Sequence, residues 1–189
     1  KMNRILWVGR MCMVKRPDRL LELATALPEF GFDFVGPFYD EPYSRSIQQR
    51  ALTLPNVKVH GQVPRDQIFD FYREEAFLCC TSNYEGFPNT FLEAWSQGLP
   101  VIATVNPDGL LSRRQLGVAV NQFEDMPLVL RDLANNEKGY EVFMKNARQY
   151  FLENHTVEAV MPRFEATLTQ TALMRCRHSI HAENSNKRS

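Results

Sequence analysis

Two glutamates, Glu85 and Glu93, stand eight positions apart around Gly86-Phe87-Pro88-Asn89-Thr90. The first lies in a polar run; the second sits inside the apolar Phe91-Leu92-Glu93-Ala94-Trp95. Ionised carboxylates only accept hydrogen bonds, so they suit a ligand rich in hydroxyls. Between them Pro88 opens a helical pattern, because proline's missing N–H costs nothing at a first helical position. Phe87 then falls at the N-cap, where it has no side-chain oxygen to close the first amides. The amides of Asn89, Thr90 and Phe91 are left facing out of an end that carries about half a positive charge, a setting suited to phosphate. By spacing alone, a loop carboxylate and a surface carboxylate explain the pair equally well.

A second set of charges follows the first apolar run, in Gly9-Arg10-Met11-Cys12-Met13-Val14-Lys15-Arg16. A dinucleotide site needs Gly-x-Gly-x-x-Gly at such a place, and neither that pattern nor a Walker A sequence is present. Arg10 can fork onto a phosphate and Lys15 can meet one as a point charge, although isolated loop cations are more often solvated. Gly61-Gln62-Val63-Pro64 is a glycine-started turn that either takes the edge of a flat ring or merely connects. Cations and amides for a diphosphate, with carboxylates for hydroxyls, together describe a nucleotide diphospho-sugar.

These residues need elements to hold them. Apolar runs at Arg4–Gly9, Phe32–Val35, Val57–His60, Ala76–Cys80, Pro100–Thr104 and Gly117–Val120 read as buried strands. Helical patterns fill the intervals: one from Pro17 to near Pro28, one over Tyr43–Leu54, and one capped by Asp66. A fourth ends near Gly98, and further helices are predicted over Pro127–Ala134, Glu137–Phe151 and Val157–Leu168. Alternating strands and helices predict an α/β fold, a doubly wound six-stranded parallel sheet with helices on both faces. In such sheets ligands bind beyond the carboxyl ends of the strands, where the loops above belong. Residues 1–173 are expected to form one Rossmann-like domain, and 174–189 a polar, flexible tail.

Composition narrows the class. Lys+Arg and Asp+Glu both number 22, which leaves no bulk electrostatic case for nucleic acid. Cys12, Cys79, Cys80 and Cys176 show no metal-type spacing and fit a reducing compartment. The chain shows no signal peptide and no membrane-length apolar run, so a cytoplasmic place is expected, whether free or peripheral at the cytoplasmic membrane face. His60 and His155 read as structural, Asp108 as a turn residue, and Trp7 and Trp95 as core. The chain starts with Lys1 and enters a strand almost at once, which suggests a piece of a longer polypeptide.

Glu85-Gly86-Phe87-Pro88-Asn89-Thr90-Phe91-Leu92-Glu93-Ala94, with Gly98-Leu99-Pro100-Val101-Ile102-Ala103, resembles the Glu-x7-Glu signature of the retaining glycosyltransferases of group 1 (family 4). Val8-Gly9-Arg10 with Lys15 is similar to the phosphate-binding segment of that family, and the resemblance covers about Arg4 to Leu168. It implies the C-terminal, donor-binding half of an enzyme of the two-Rossmann (GT-B) type, with the N-terminal acceptor domain absent. It also implies that Gly9, Arg10 and Lys15 meet the donor diphosphate, Glu85 the sugar and Glu93 the ribose. Gly86, Phe87, Pro88, Asn89 and Thr90 would lend backbone to sugar and phosphate, and Gln62 and Val63 would lie near a uridine or guanosine base. No cofactor and no metal are expected, and the acceptor would be a glycan or a lipid-linked sugar. Asn106-Pro107-Asp108-Gly109, where many relatives carry Gly-Gly, leaves the choice of sugar open. Two other readings remain: a nucleotide-sugar-binding module inactive by itself, and half of a sugar-nucleotide 2-epimerase, for which no acid/base constellation is present.

Overall fold

The computed structural model describes residues 2–39 and 41–186, with side chains described as far as residue 171. It divides into two compact units, Lys1–Phe151 and Leu152–Ser189.

The first unit holds six strands: β1 (Arg4–Val8), β2 (Gly31–Val35), β3 (Val57–Gly61), β4 (Phe77–Cys80), β5 (Val101–Ala103) and β6 (Gly117–Ala119). All neighbouring pairs are parallel, in the order β3-β2-β1-β4-β5-β6. Chain order reverses between β1 and β4. Loops leaving those two strands therefore flank the gap where open α/β sheets bind ligands.

Seven helices are woven between and after the strands: α1 (Pro17–Ala26), α2 (Pro42–Leu52), α3 (Ile68–Glu74), α4 (Asn89–Ser96), α5 (Leu110–Arg114), α6 (Met126–Ala134) and α7 (Glu137–Asn154). Alternate strand residues feed two cores, as the two-residue side-chain period requires. Ile5, Trp7, Phe34 and Cys79 pack with α1, α2 and α6, while Leu6, Val35, Leu78 and Cys80 pack with α3, α4 and α5. Ala147, fully buried, seats α7 on the second core. A central sheet covered on both faces needs strands that are apolar throughout, which is why β1 and β4 read as unbroken runs.

Three local expectations shift. α4 begins at Asn89 rather than Pro88, and its N-cap is Pro88 rather than Phe87. Proline fixes φ but not ψ, and Pro88 takes an extended ψ of 124°. α3 is capped by Gln67, not Asp66, because a turn through the Pro64 carbonyl precedes it. In the second unit, α8 (Val157–Asn186) continues past the expected stop at Leu168, and Lys187, Arg188 and Ser189 of the expected tail lie outside the described residues. No Gly or Pro follows Pro162, and Ala, Leu, Met, Arg and Gln there favour helix. Polar composition was a poor guide to where that helix stops.

Candidate functional site

The loop from Gly9 to Arg16 leaves β1, and the loop from Thr81 to Pro88 leaves β4. Each would wander without anchors. Gly9 donates to the Val35 carbonyl at 3.0 Å, and Met11, fully buried, donates to the Pro37 carbonyl at 3.3 Å. The first loop ends at Arg16 in the left-handed region (φ 51°, ψ 51°), an uncommon conformation for a non-glycine residue. Its guanidinium forks onto Asp18 through Nε to Oδ1 at 3.0 Å and Nη2 to Oδ2 at 2.8 Å. Burial by itself would raise the Asp18 carboxyl, but hydrogen bonds from Arg16 and Tyr43 outweigh it and hold the group below its usual range.

The two loops are laced together. The Asn83 N–H donates to the Val14 carbonyl at 3.0 Å, and the Thr81 hydroxyl reaches the carbonyls of Lys15 (3.0 Å) and Arg16 (2.9 Å). Across this seam the Lys15 ammonium donates to Glu85 Oε1 at 2.5 Å. The Ser82 hydroxyl donates to the same oxygen at 2.7 Å. Both side chains of the ion pair are largely withdrawn from water, Lys15 at 26% and Glu85 at 13% exposure. Lys15, Ser82, Glu85 and Thr90 line one small recess of about 10 Å³ together with Trp7, Val8, Cys79 and Cys80. The thiols there are buried, and burial pushes both upward, so they act as small apolar side chains.

At the start of α4 no side chain caps the helix. The Phe91 N–H is taken by the Pro88 carbonyl at 3.0 Å, so it does not face out as expected. Asn89 is exposed and Thr90 half-buried, and their amides precede the first turn's hydrogen bonds. One turn on, Glu93 Oε2 accepts from the Tyr72 hydroxyl at 2.7 Å. Tyr72 is buried, and burial together with the Glu93 charge drives its phenol far upward, so it stays a neutral donor.

The sequence-predicted residues thus fall into two groups. Lys15, Glu85 and Thr90 share that recess, with Gly86, Phe87, Pro88 and Asn89 completing the loop and Glu93 one turn into α4. Arg10 and Gln62 share the carboxyl-end rim, both exposed, and among the described residues their side chains make no hydrogen bond, although the Arg10 carbonyl accepts the Cys12 N–H at 2.8 Å. Val63 packs against the second core. His60 is a structural histidine: its Nε2 lies 2.5 Å from Asp33 Oδ1, beside an Arg4–Glu75 pair. Among the described residues no cluster of His, Cys, Asp and Glu is suited to hold a metal ion. Thr81, Ser82 and Tyr72 were not singled out from sequence. The Ser82-x-x-Glu85 spacing was a usable signal, whereas Tyr72 meets Glu93 only through packing of α3 against α4.

The family model for glycosyl transferases group 1 matches residues 1–150, and the chain belongs to that family. It is 27% identical over 174 residues to an uncharacterized glycosyltransferase of Haemophilus influenzae, a match covering 87% of this chain and 48% of that protein. Sucrose-phosphate synthase of Thermosynechococcus elongatus has a similar fold, with a TM-score of 0.79 at 20% identity over 92% of this chain and 46% of that one. HepE of Anabaena, solved with UDP-glucose, is similar at a TM-score of 0.74 and 17% identity, over 89% of this chain and 49% of that one. The chain spans about half the length of each.

Proposed function

We propose that this chain is the donor-binding half of a retaining glycosyltransferase, which moves a sugar from a nucleoside-diphosphate sugar to an acceptor hydroxyl in glycan or glycolipid biosynthesis. The observation that carries this reading is the Lys15–Glu85 pair, set beside the open start of α4 at the point where strand order reverses. In the structure each group neutralises the other. An incoming diphospho-sugar satisfies both separately: Lys15 turns to phosphate and Glu85 to a sugar hydroxyl.

Arg10, Lys15 and the amides of Asn89 and Thr90 would then stabilise the departing diphosphate while the acceptor attacks on the same face. Such fixed donors are worth most where charge develops and water is displaced. They would do the work of a metal ion. Glu93, held by Tyr72, is assigned to the ribose, and Gln62 and Val63 to the neighbourhood of the base. The UDP-glucose held by HepE makes UDP sugars the first to test, with GDP sugars next. Because the chain covers about half of its relatives, we assign it donor binding and assign turnover to the longer protein.

Thermal unfolding with UDP, GDP, ADP and their sugars is the test. A matching nucleotide at a hundred times its Kd should stabilise the chain by about 2.7 kcal/mol. A flat response to all of them sinks the reading. Glu93→Ala should weaken nucleoside diphosphates and sugar nucleotides alike, whereas Glu85→Ala should erase mainly the advantage given by the sugar. Normal UDP or GDP binding by Glu93→Ala would remove Glu93 from the ribose. Transfer by this chain alone would overturn the division of labour.

A further inference from the structure

We propose that Thr81 is the positioning residue of this site: its buried hydroxyl fixes the backbone that delivers the Lys15 ammonium to Glu85. The consequence for ligand binding rests on the donor-site reading above. The positioning itself belongs to the structure.

Thr81 is the first residue after β4 and is fully buried. Its one hydroxyl proton is shared between the Lys15 carbonyl at 3.0 Å and the Arg16 carbonyl at 2.9 Å. Its oxygen accepts the indole N–H of Trp7 at 3.0 Å. Trp7 is itself 2% exposed in β1, so the hydroxyl is tied to the rigid sheet rather than to another loop. Two residues on, the Asn83 N–H takes the Val14 carbonyl at 3.0 Å. The carbonyls of Val14, Lys15 and Arg16 are therefore all held by the β4 loop. Between the two anchors, Ser82 grips the carboxylate of Glu85. Residues 81 and 83 set the cation's backbone, and residue 82 sets its partner.

Arg16 gives the reason such an anchor is needed. A non-glycine residue in the left-handed region persists only where its surroundings over-determine it. The Asp18 fork holds the Arg16 side chain, and Thr81 holds its carbonyl. Without the hydroxyl, the Lys15 carbonyl and the Trp7 indole N–H lose a buried partner, the Arg16 carbonyl keeps only the Arg19 N–H at 3.1 Å, and the turn is less firmly held. Lys15, a long and flexible side chain, would then spread over many positions.

The discriminating variants are Thr81→Val, which keeps the shape without the hydroxyl, and Thr81→Ser, which keeps the hydroxyl without the methyl. Thr81→Ala replaces the first if it does not fold. In the unliganded chain, a double-mutant cycle of Lys15→Met and Glu85→Gln on the unfolding midpoint should show coupling in wild type and in T81S. It should show none in T81V, where the Trp7 indole N–H resonance also moves. Coupling that survives in T81V overturns the proposal, whether or not any nucleotide binds. In titrations with UDP-glucose or GDP-glucose, T81V should bind about tenfold more weakly and T81S within about twofold of wild type. K15M and K15M/T81V should be equally weak, and additive losses would also overturn it. If wild type binds neither sugar nucleotide, the donor-site reading falls and the coupling cycle alone decides Thr81.

Discussion

At the scale of single residues, the chemistry depends on side chains that hold other side chains. Tyr72 is the clearest case. Its hydroxyl fixes one oxygen of Glu93, the carboxylate proposed above for the ribose. Tyr72→Phe keeps the packing and removes that donor, so nucleoside diphosphate affinity should fall about tenfold, a hydrogen bond to a charged group being worth roughly 1.5–3 kcal/mol. Unchanged affinity by calorimetry would mean that Glu93 needs no such anchor. Asp18 offers a test by pH. Its folded carboxyl is held below the usual value despite its burial, so its stabilisation is full above the unfolded value near ~3.9 and fades as pH falls through the folded value. Asp18→Asn should therefore cost about 2 kcal/mol near neutrality, and the gap from wild type should close in strong acid. A gap independent of pH in denaturant titrations would show that the carboxylate's charge is not what Arg16 and Tyr43 hold.

At the scale of elements, two glycines set the geometry by which loops meet the sheet. Gly36 has φ 144°, and a Cβ there would stand 1.8 Å from the Gly9 carbonyl oxygen. The end of β2 can lie against the end of β1 only without that atom, and Gly9 begins the candidate phosphate loop. Gly98 closes α4 with φ 75°: its N–H meets the Trp95 carbonyl at 3.0 Å, and the Leu99 N–H meets the Ala94 carbonyl at 2.9 Å. That paired bonding is a common helix ending. Gly36→Ala should destabilise by about 3 kcal/mol, because backbone must move, and Gly98→Ala by about 1 kcal/mol, from strain at positive φ alone. The reverse ranking in urea unfolding would contradict the close approach of the two loops. Strands and helices were largely legible in the sequence, since buried runs and proline and glycine punctuation are local signals. The start of α4 was misplaced by one residue because it turned on the ψ of Pro88, which no residue type dictates.

At the scale of the whole molecule, the sheet order makes the site. The proposed division of labour implies that the longer protein, supplied with donor and acceptor, transfers sugar with its anomeric configuration kept and with activity surviving a chelator. Product NMR showing inversion, or activity abolished by EDTA, would defeat the proposed mechanism. Among the described residues no helix is long and apolar enough to cross a membrane.

By itself the sequence determined the α/β class and the kinds of groups on the rim: two carboxylates, two cations and an uncapped helix start. Those depend on residue type and near-neighbour pattern, which a chain carries locally. It did not determine that β1 and β4 lie side by side, because strand order is settled by how helices cover two faces of one sheet. That adjacency brings Thr81 beneath Lys15, 66 residues away, and Lys15 to Glu85, 70 residues away. Tyr72 likewise reaches Glu93 only because α3 and α4 pack into the same core. Contacts between residues so far apart along the chain exist only once the sheet has formed, and it was the tertiary structure that brought Lys15 and Glu85 together.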